Sequence, residues 1–413
     1  MKRWNIGFCI LWVFGVILYS ASGVAAAGRG AFADDYVGAR ASIFGEAFVA
    51  VVDDANALRW NPAGLTQLLQ PEVTSSHINL FSMGGYVDYS SDSSSINEDF
   101  IGFVLPNHIA PVGISFLNLG TRGMMLTTRG GAVMNTYASY AERIFTLSVG
   151  KRLEAGGFGL SVGWNINRFS VNAHRNSSGF GLDTGLLLDT PGILPDLGVM
   201  LKGSFMETGL DNGGPTIPAK ADFGIAFSPA RPIKLVGGLS KTFGDSLIQY
   251  SMGAEYVLLR LSPLSFSVLA GYKSLGSLEA GSLTSQGNHM SVGFCARLSR
   301  YKLDYAYEQH SELGDTHRVT FGILQNSPEN FHLRQGRQAF EHLDNTNTIL
   351  ELDEAVYLAT RNPEVYHLLA LTYERMRQKD EAIGLLERVQ SLDYDYFMEQ
   401  NLDQMIEDIQ EQE

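Results

Sequence analysis

The 413-residue chain carries 44 acidic and 30 basic side chains, a formal net charge of −14, with 44 glycines and two cysteines. An acidic balance argues against a nucleic-acid partner, which demands a basic surface, and two cysteines cannot build a disulfide framework. The charge is uneven: residues 341–413 hold eighteen Asp/Glu against five Lys/Arg, whereas 43 of the 44 glycines precede residue 341. Two modules built on different physical principles are expected.

Residues 1–27 have a basic start at Met1-Lys2-Arg3, an apolar run from Ile6 to Tyr19 and the small-residue stretch "SGVAAAG". That order predicts a secretory signal peptide cleaved after Ala27. Cys9 lies inside the apolar run, so no lipoprotein site is read, and the mature chain keeps Cys295 alone. No later run approaches the roughly 20 apolar residues of a membrane helix.

Residues 28–71 contain "VVDDANALRWNPAGL" (51–65). Asp53 and Asp54 are adjacent and diverge on a helix or strand, and no His or Cys lies near them, so no metal is expected. Asn61-Pro62 fits a helix N-cap followed by the first helical position, where the missing N–H of proline costs nothing. Gly45, Ala47, Ala50, Ala55 and Ala57 permit close packing around this box.

Residues 72–325 alternate with a period of two, as strands with two unlike faces do. In "ERIFTLSVGK" Phe145, Leu147 and Val149 oppose Thr146, Ser148 and Gly150. In "HMSVGFCARLS" Met290, Val292, Phe294, Ala296 and Leu298 oppose Ser291, Gly293, Cys295 and Arg297. A water-soluble sandwich also alternates, but its polar face is usually Lys, Glu and Thr. Here the second face is Gly, Ser and Thr with isolated charges: Asp183, Lys202, Asp222, Arg297, Asp304 and Arg318. This predicts an all-β transmembrane barrel of about 14 antiparallel strands, closed so that every backbone amide is paired. Residues 211–219, 228–232 and 274–288 read as turn-rich connections, and 89–99 and 118–139 as longer loops.

Residues 326–413 switch to helical periodicity. Tyr366, Leu369, Ala370, Tyr373, Ala382, Leu386 and Val389 fall at the packing positions of one tetratricopeptide (TPR) repeat, and Gly336 and Ala355 align with an earlier, degenerate one. A generic helical hairpin is the plain alternative. So few repeats seldom stand alone, so this acidic, TPR-like helical domain is expected to dock on the barrel rim or on a periplasmic protein.

The stretch "GARASIFGEAFVAVVDDANALRWNPAGL" resembles the N-terminal signature of the PorV/PorQ family of outer-membrane proteins, and its Asn-Pro-Ala core that of the related FadL-type fatty-acid channels. The resemblance covers nearly all of residues 36–324, through "ERIFTLSVGKRL", "SGFGLDTGLLLDT", "GGPTIPAKADFGIAF" and "LDYAYEQHSELGDTHRVTFG". It implies an N-terminal hatch inside a fourteen-stranded barrel, gating a path for hydrophobic molecules. Asn61, Pro62 and Ala63 would then be hatch residues, positioned by Asp53, Asp54 and Trp60; alternatively the box only keeps the barrel from leaking. Ile43, Phe44 and Glu46 depart from the signature, where smaller residues are expected.

The functional expectation is an outer-membrane, FadL-like channel for long-chain fatty acids or other hydrophobic molecules, in contact with membrane lipid. Arg297 and Arg318 are lumen candidates for a ligand carboxylate, or for a structural network with Asp304 and Glu308. The alternatives are a PorV-like accessory of type 9 secretion and a scaffold presenting the helical tail. Catalysis is not expected and neither is a cofactor. His310-Ser311 are neighbours in sequence, which is not triad geometry, and His77, His108, His174, His289 and His317 are scattered without metal spacing.

Overall fold

The computed structural model describes residues 37–411 except 83–95, 108, 128–132, 156–157, 173–175, 191–193, 204–207, 210–215, 218, 231, 244–246, 262, 280–281, 311–313 and 359. The expected signal peptide, residues 1–27, lies outside the described residues. The strands are β1 (Glu72–Ser82), β2 (Ile96–Leu105), β3 (Val112–Thr127), β4 (Val133–Ala155), β5 (Phe158–Asn172), β6 (Ser177–Asp189), β7 (Asp196–Lys202), β8 (Thr208–Gly209), β9 (Thr216–Ile217), β10 (Lys220–Ala230), β11 (Ile233–Thr242), β12 (Leu247–Leu261), β13 (Leu264–Glu279), β14 (Ser282–Leu298), β15 (Tyr301–His310) and β16 (Gly314–Leu324). Fourteen of them form one closed barrel in chain order, with β1 hydrogen-bonded to both β2 and β16. The strands β8 and β9 pair only with each other, and β7 meets β10 directly, from Asp196↔Ala226 to Lys202↔Lys220.

Which face is apolar separates a membrane barrel from a soluble one. On β4, Phe145 and Leu147 on the outside are each 49% exposed, while Thr146 and Ser148 on the inside are buried. Ile101, Ile166, Leu239, Met252, Val292 and Phe321 repeat the pattern around the wall. A polar interior and an apolar exterior on a closed sheet is the arrangement of an outer-membrane barrel, with lipid as the outer solvent.

Two expected connections are strand instead. Of residues 118–139, β3 takes those up to Thr127 and β4 those from Val133, with Thr121 opposite Tyr140 and Met125 opposite Tyr137. Of residues 274–288, β13 and β14 take all but 280–281. Gly, Ser and Thr read as turn formers in isolation, but a ladder already started by the neighbouring strand holds them extended. Residues 228–232 do contain the β10–β11 turn, β9 falls within 211–219, and β2 begins inside 89–99.

A second compact unit comprises residues 257–267, 296–303 and 323–413. Its helices are α1 (Pro328–Glu341), α2 (Asn345–Tyr357), α3 (Pro363–Arg375), α4 (Lys379–Leu392), α5 (Tyr394–Glu399) and α6 (Leu402–Glu411). Pro328 and Pro363 occupy first helical turns, and the side chains of Asn362, Asp344 and Asp393 accept N-terminal amides as caps. Tyr366, Leu369, Ala370, Ala382, Leu386 and Val389 are buried in one core against which Tyr373 packs. That packing is common to a tetratricopeptide repeat and a plain helical hairpin. Within the same unit the Arg260 guanidinium lies 3.9 Å from the Tyr357 ring centroid. None of the described helices is long and apolar enough to cross a membrane.

His367 on α3 contacts the Tyr396 hydroxyl through Nδ1 at 3.0 Å. Burial pushes the imidazole below its ordinary value, opposed in part by Glu364. A histidine depressed in the fold binds its proton more readily when unfolded, so its contribution to stability is present above the unfolded value near 6.5 and is lost as pH falls below it. The hydrogen-exchange protection factors of α3 and α5 in the full chain, referred to the intrinsic rate at each pH, should therefore fall between pH 7 and pH 5. His367→Gln should flatten that dependence; an unchanged slope in the variant would place the titration elsewhere.

Candidate functional site: a hatch seated on glycines

Residues 37–68 form four short pieces: a helix Ala39–Phe44, a 3-10 turn Gly45–Ala50, a helix Ala57–Trp60 and a 3-10 turn Pro62–Gln67. Every residue from Val37 to Leu65 is buried except Asp53. None of the pieces is long enough to be stable alone, so the barrel wall must hold them. Side chains of the wall supply what the broken helices leave unpaired. Thr320 Oγ1 accepts from the Ala39 amide at 2.8 Å, Ser251 Oγ from the Ala47 amide at 3.1 Å, and Asn165 Nδ2 donates to the Leu58 carbonyl at 3.0 Å.

The close approach is made possible by glycines that the ladder brings into line. Gly150, Gly163 and Gly185 are successive partners on β4, β5 and β6, and Gly198, Gly224 and Gly238 on β7, β10 and β11. A Cβ at Gly163 would overlap the Pro62 carbonyl carbon and the Ala63 nitrogen, at Gly185 the Asn61 Oδ1, and at Gly198 the Val49 carbonyl. Gly253 and Gly271 leave room for the Phe44 ring and the Ile43 carbonyl. The larger residues of the signature thus fit because the facing wall is stripped to backbone. Gly45 has φ +56°, and a Cβ there would meet the Lys273 stem at 2.9 Å, so both conformation and space require glycine.

Asn61 is the central tie. Its Nδ2 donates to the Val49 carbonyl at 2.8 Å within the hatch and to the Leu186 carbonyl of β6 at 3.0 Å, while Oδ1 accepts from the Ala63 amide at 3.1 Å. It caps the 3-10 turn that Pro62 opens. The Trp60 indole donates to the Val37 carbonyl at 2.7 Å, and its ring meets Phe48 edge-on at 5.6 Å. Asp54 turns inward, its Oδ1 accepting from the Asn56 amide at 2.9 Å. Asp53 turns the other way, to Arg40 at 2.5 Å and Lys234 of β11 at 3.4 Å.

Arg40 was not singled out in the sequence, yet it joins the hatch to the wall. Its guanidinium binds Asp53 and, at 2.9 Å, Glu255 of β12, and lies over the rings of Phe44 and Phe48 at 5.7 and 5.8 Å. The signal was a lone arginine in the small and apolar stretch "GARASIF". On β10 a second tie sets Lys220 within 3.7 Å of the buried Glu46.

The lumen candidates occupy different surroundings. Glu308 pairs with Lys273 of β13 at 2.6 Å. Asp304 is fully buried on the inner face of β15, and Arg318 is buried on β16. Arg297 is half-buried on β14. Among the described residues, no three His, Cys, Asp or Glu side chains are grouped to hold a metal ion. His310 is on β15, while Ser311, His108 and His174 lie outside the described residues.

The inner face also carries apolar side chains that period-two reading passed over. Phe100, Leu117, Ile144 and Phe169 are buried and are direct cross-strand partners on β2, β3, β4 and β5. Their trace in the sequence is a doubled apolar residue where one was expected: Phe100-Ile101, Phe116-Leu117 and Ile144-Phe145.

No family model and no curated protein matches the chain. Among solved structures it is similar to the toluene transporter TodX of Pseudomonas putida, at 11% identity over 68% of this chain and 96% of that one, with a TM-score of 0.46. The CymD monoaromatic hydrocarbon channel aligns at 13% identity over 74% and 95%, with a TM-score of 0.47. A Pseudomonas aeruginosa FadL homologue aligns at 12% identity over 73% and 99%, with a TM-score of 0.42.

Proposed function

We propose that the protein is an outer-membrane channel for hydrophobic molecules whose hatch, residues 37–68, is the gate. The observation that carries the reading is the seating of the hatch. It fills a glycine-stripped bore through apolar packing, hydrogen bonds and ion pairs, so it can shift without breaking a covalent bond. In this reading the protein performs no covalent chemistry, long-chain fatty acids are one candidate cargo, and the acidic helices lie in the periplasm. Arg297 and Arg318 are then positions at which a cargo head group is to be sought.

Asn61→Ala is the direct test. It removes the Ala63 cap and leaves the Val49 and Leu186 carbonyls short of a donor, at about 1–3 kcal/mol for each buried group left unpaired. Uptake of a hydrophobic tracer by vesicles holding the variant should change severalfold while the barrel stays folded. Unchanged uptake with normal folding would remove the hatch from the gating role.

The separate helical unit favours a second reading, an accessory that holds exported proteins as PorV-type proteins do in type 9 secretion. Affinity recovery of exported polypeptides on the native protein, with no hydrophobe uptake, would select it.

A further inference from the structure

We infer that Arg143 and Arg168 form a binding site, on the outside of the barrel wall, for the phosphate of an anionic membrane lipid. The site needs only the barrel in its membrane and does not depend on the hatch being a gate. The ladders across β2 to β6 set the outward side chains in rows. Phe103, Ile114, Leu147, Ile166 and Leu182 make one row, apolar throughout. The next holds Ile101, Phe116, Phe145, Arg168 and Phe180, and the one after it Asp99, Asn118, Arg143, Ser170 and Ser178. The last row is polar throughout, so the border between hydrocarbon and headgroups falls between it and the row of Arg168.

Arg168 stands on the hydrocarbon side of that border and Arg143 on the polar side. Arg143 is paired with Ser170, so the two arginines are diagonal neighbours, a spacing of about 7–8 Å. Both are exposed. The Arg168 guanidinium lies 5.3 Å from the Phe180 ring centroid, which engages its face and leaves its N–H edge. Arg143 donates from Nε to Asn118 Oδ1 at 3.3 Å, which leaves both terminal nitrogens for other acceptors. Among the described residues neither arginine has a carboxylate partner, and the carboxylate of the row, Asp99, meets His77 at 2.7 Å. One arginine at such a border is ordinary, its stem along apolar surface and its head in water. Two on one diagonal place like charges beside hydrocarbon, and a phosphate between them removes that cost while matching the planar fork of each guanidinium. Inorganic phosphate would leave the apolar rows bare. A lipid covers them with its acyl chains, along Phe145 and Ile166, and so uses both halves of the site.

The full chain would be reconstituted with equal amounts of phosphatidylglycerol and phosphatidylethanolamine of identical acyl chains, and its retained lipids weighed by native mass spectrometry. The first retained lipid should be phosphatidylglycerol by tenfold or more, each guanidinium contributing about fivefold. Arg143→Gln and Arg168→Gln should each lower the preference about fivefold, and the double variant should abolish it. Both residues are exposed on the wall, and heat-modifiable mobility checks that the variant barrels fold. Arg300→Gln is the matched control, since Arg300 is another exposed guanidinium set over an aromatic ring, that of Tyr301 at 5.2 Å. It should leave the preference unchanged.

Equal retention of the two lipids by the unaltered chain would overturn the site. An equal loss of preference in Arg300→Gln would show a general effect of surface charge in its place. Displacement of the retained phosphatidylglycerol by millimolar inorganic phosphate would overturn the lipid as occupant in favour of free phosphate.

Discussion

Gly163→Ala is expected to open the closed bore while leaving the barrel assembled. The added methyl would occupy the space of the Pro62 carbonyl carbon and the Ala63 nitrogen. Both are backbone atoms of the hatch and cannot rotate aside as a side-chain tip would. Alanine costs a strand no more than the glycine it replaces, so the strain, about 1–3 kcal/mol or more for an overpacked site, falls on the weaker partner. That partner is a hatch made of pieces four to six residues long. Two signatures should follow: a severalfold rise in conductance or small-solute leakage across planar bilayers, and cleavage by trypsin after Arg59, which is 5% exposed in the closed state. Gly237→Ala is the matched control. Its neighbour on β11 faces the hatch, but a methyl at Gly237 would meet only the Ile225 side chain at 3.4 Å, an ordinary contact. Equal behaviour of the two variants would mean that the glycine row is not the seat of the hatch.

The same comparison shows which parts of the site could be read from the chain. Cap chemistry is local, so Asn61-Pro62 announces its turn within three residues, and the structure places the cap bond there. Alternation is also local, and the outward Met290 and Val292 against the inward Ser291 follow it. The role of Gly163 is not local. Glycine on the second face is visible as a small residue, but its alignment with Gly150 and Gly185 depends on the register of two ladders, which one sequence does not state. The partners of Arg40 raise the same difficulty, since Glu255 is 215 positions away. For Glu308, sequence reasoning reached for the arginines because they were the cations at hand on β14 and β16. The strand geometry also brings Lys273 from β13, a cation that periodicity does not single out. The doubled apolar residues of β2 to β4 are present in the sequence, but an alternating pattern gives them no meaning by itself. Their meaning appears only once Phe100, Leu117 and Ile144 are seen as neighbours.

Arg40→Met should be the most destabilising single change in the hatch, through the charge it leaves behind. Arg40 is 7% exposed at its side chain and Glu255 13%, so their bond is largely screened from water. Breaking a buried pair by removing one member costs about 3–5 kcal/mol, and the cost here falls toward the lower end because Lys234, the cross-strand partner of Glu255, remains as a partial counter-charge. The bond to Asp53 adds less, since that carboxylate is 39% exposed and can return to water. The loss is local to the hatch: hydrogen exchange of residues 39–60 should quicken strongly, whereas the ladder amides of β4 and β5 should not. The double variant Arg40→Met with Glu255→Gln separates charge from packing. Methionine keeps contact with the rings of Phe44 and Phe48, and glutamine no longer carries a stranded charge, so most of the protection should return. If the double variant were as exposed as the single one, the guanidinium would act through its packing on Phe44 and Phe48, and the ion pair would be incidental. A protected hatch in Arg40→Met alone would be the opposite failure, showing that the glycine seat holds without the latch.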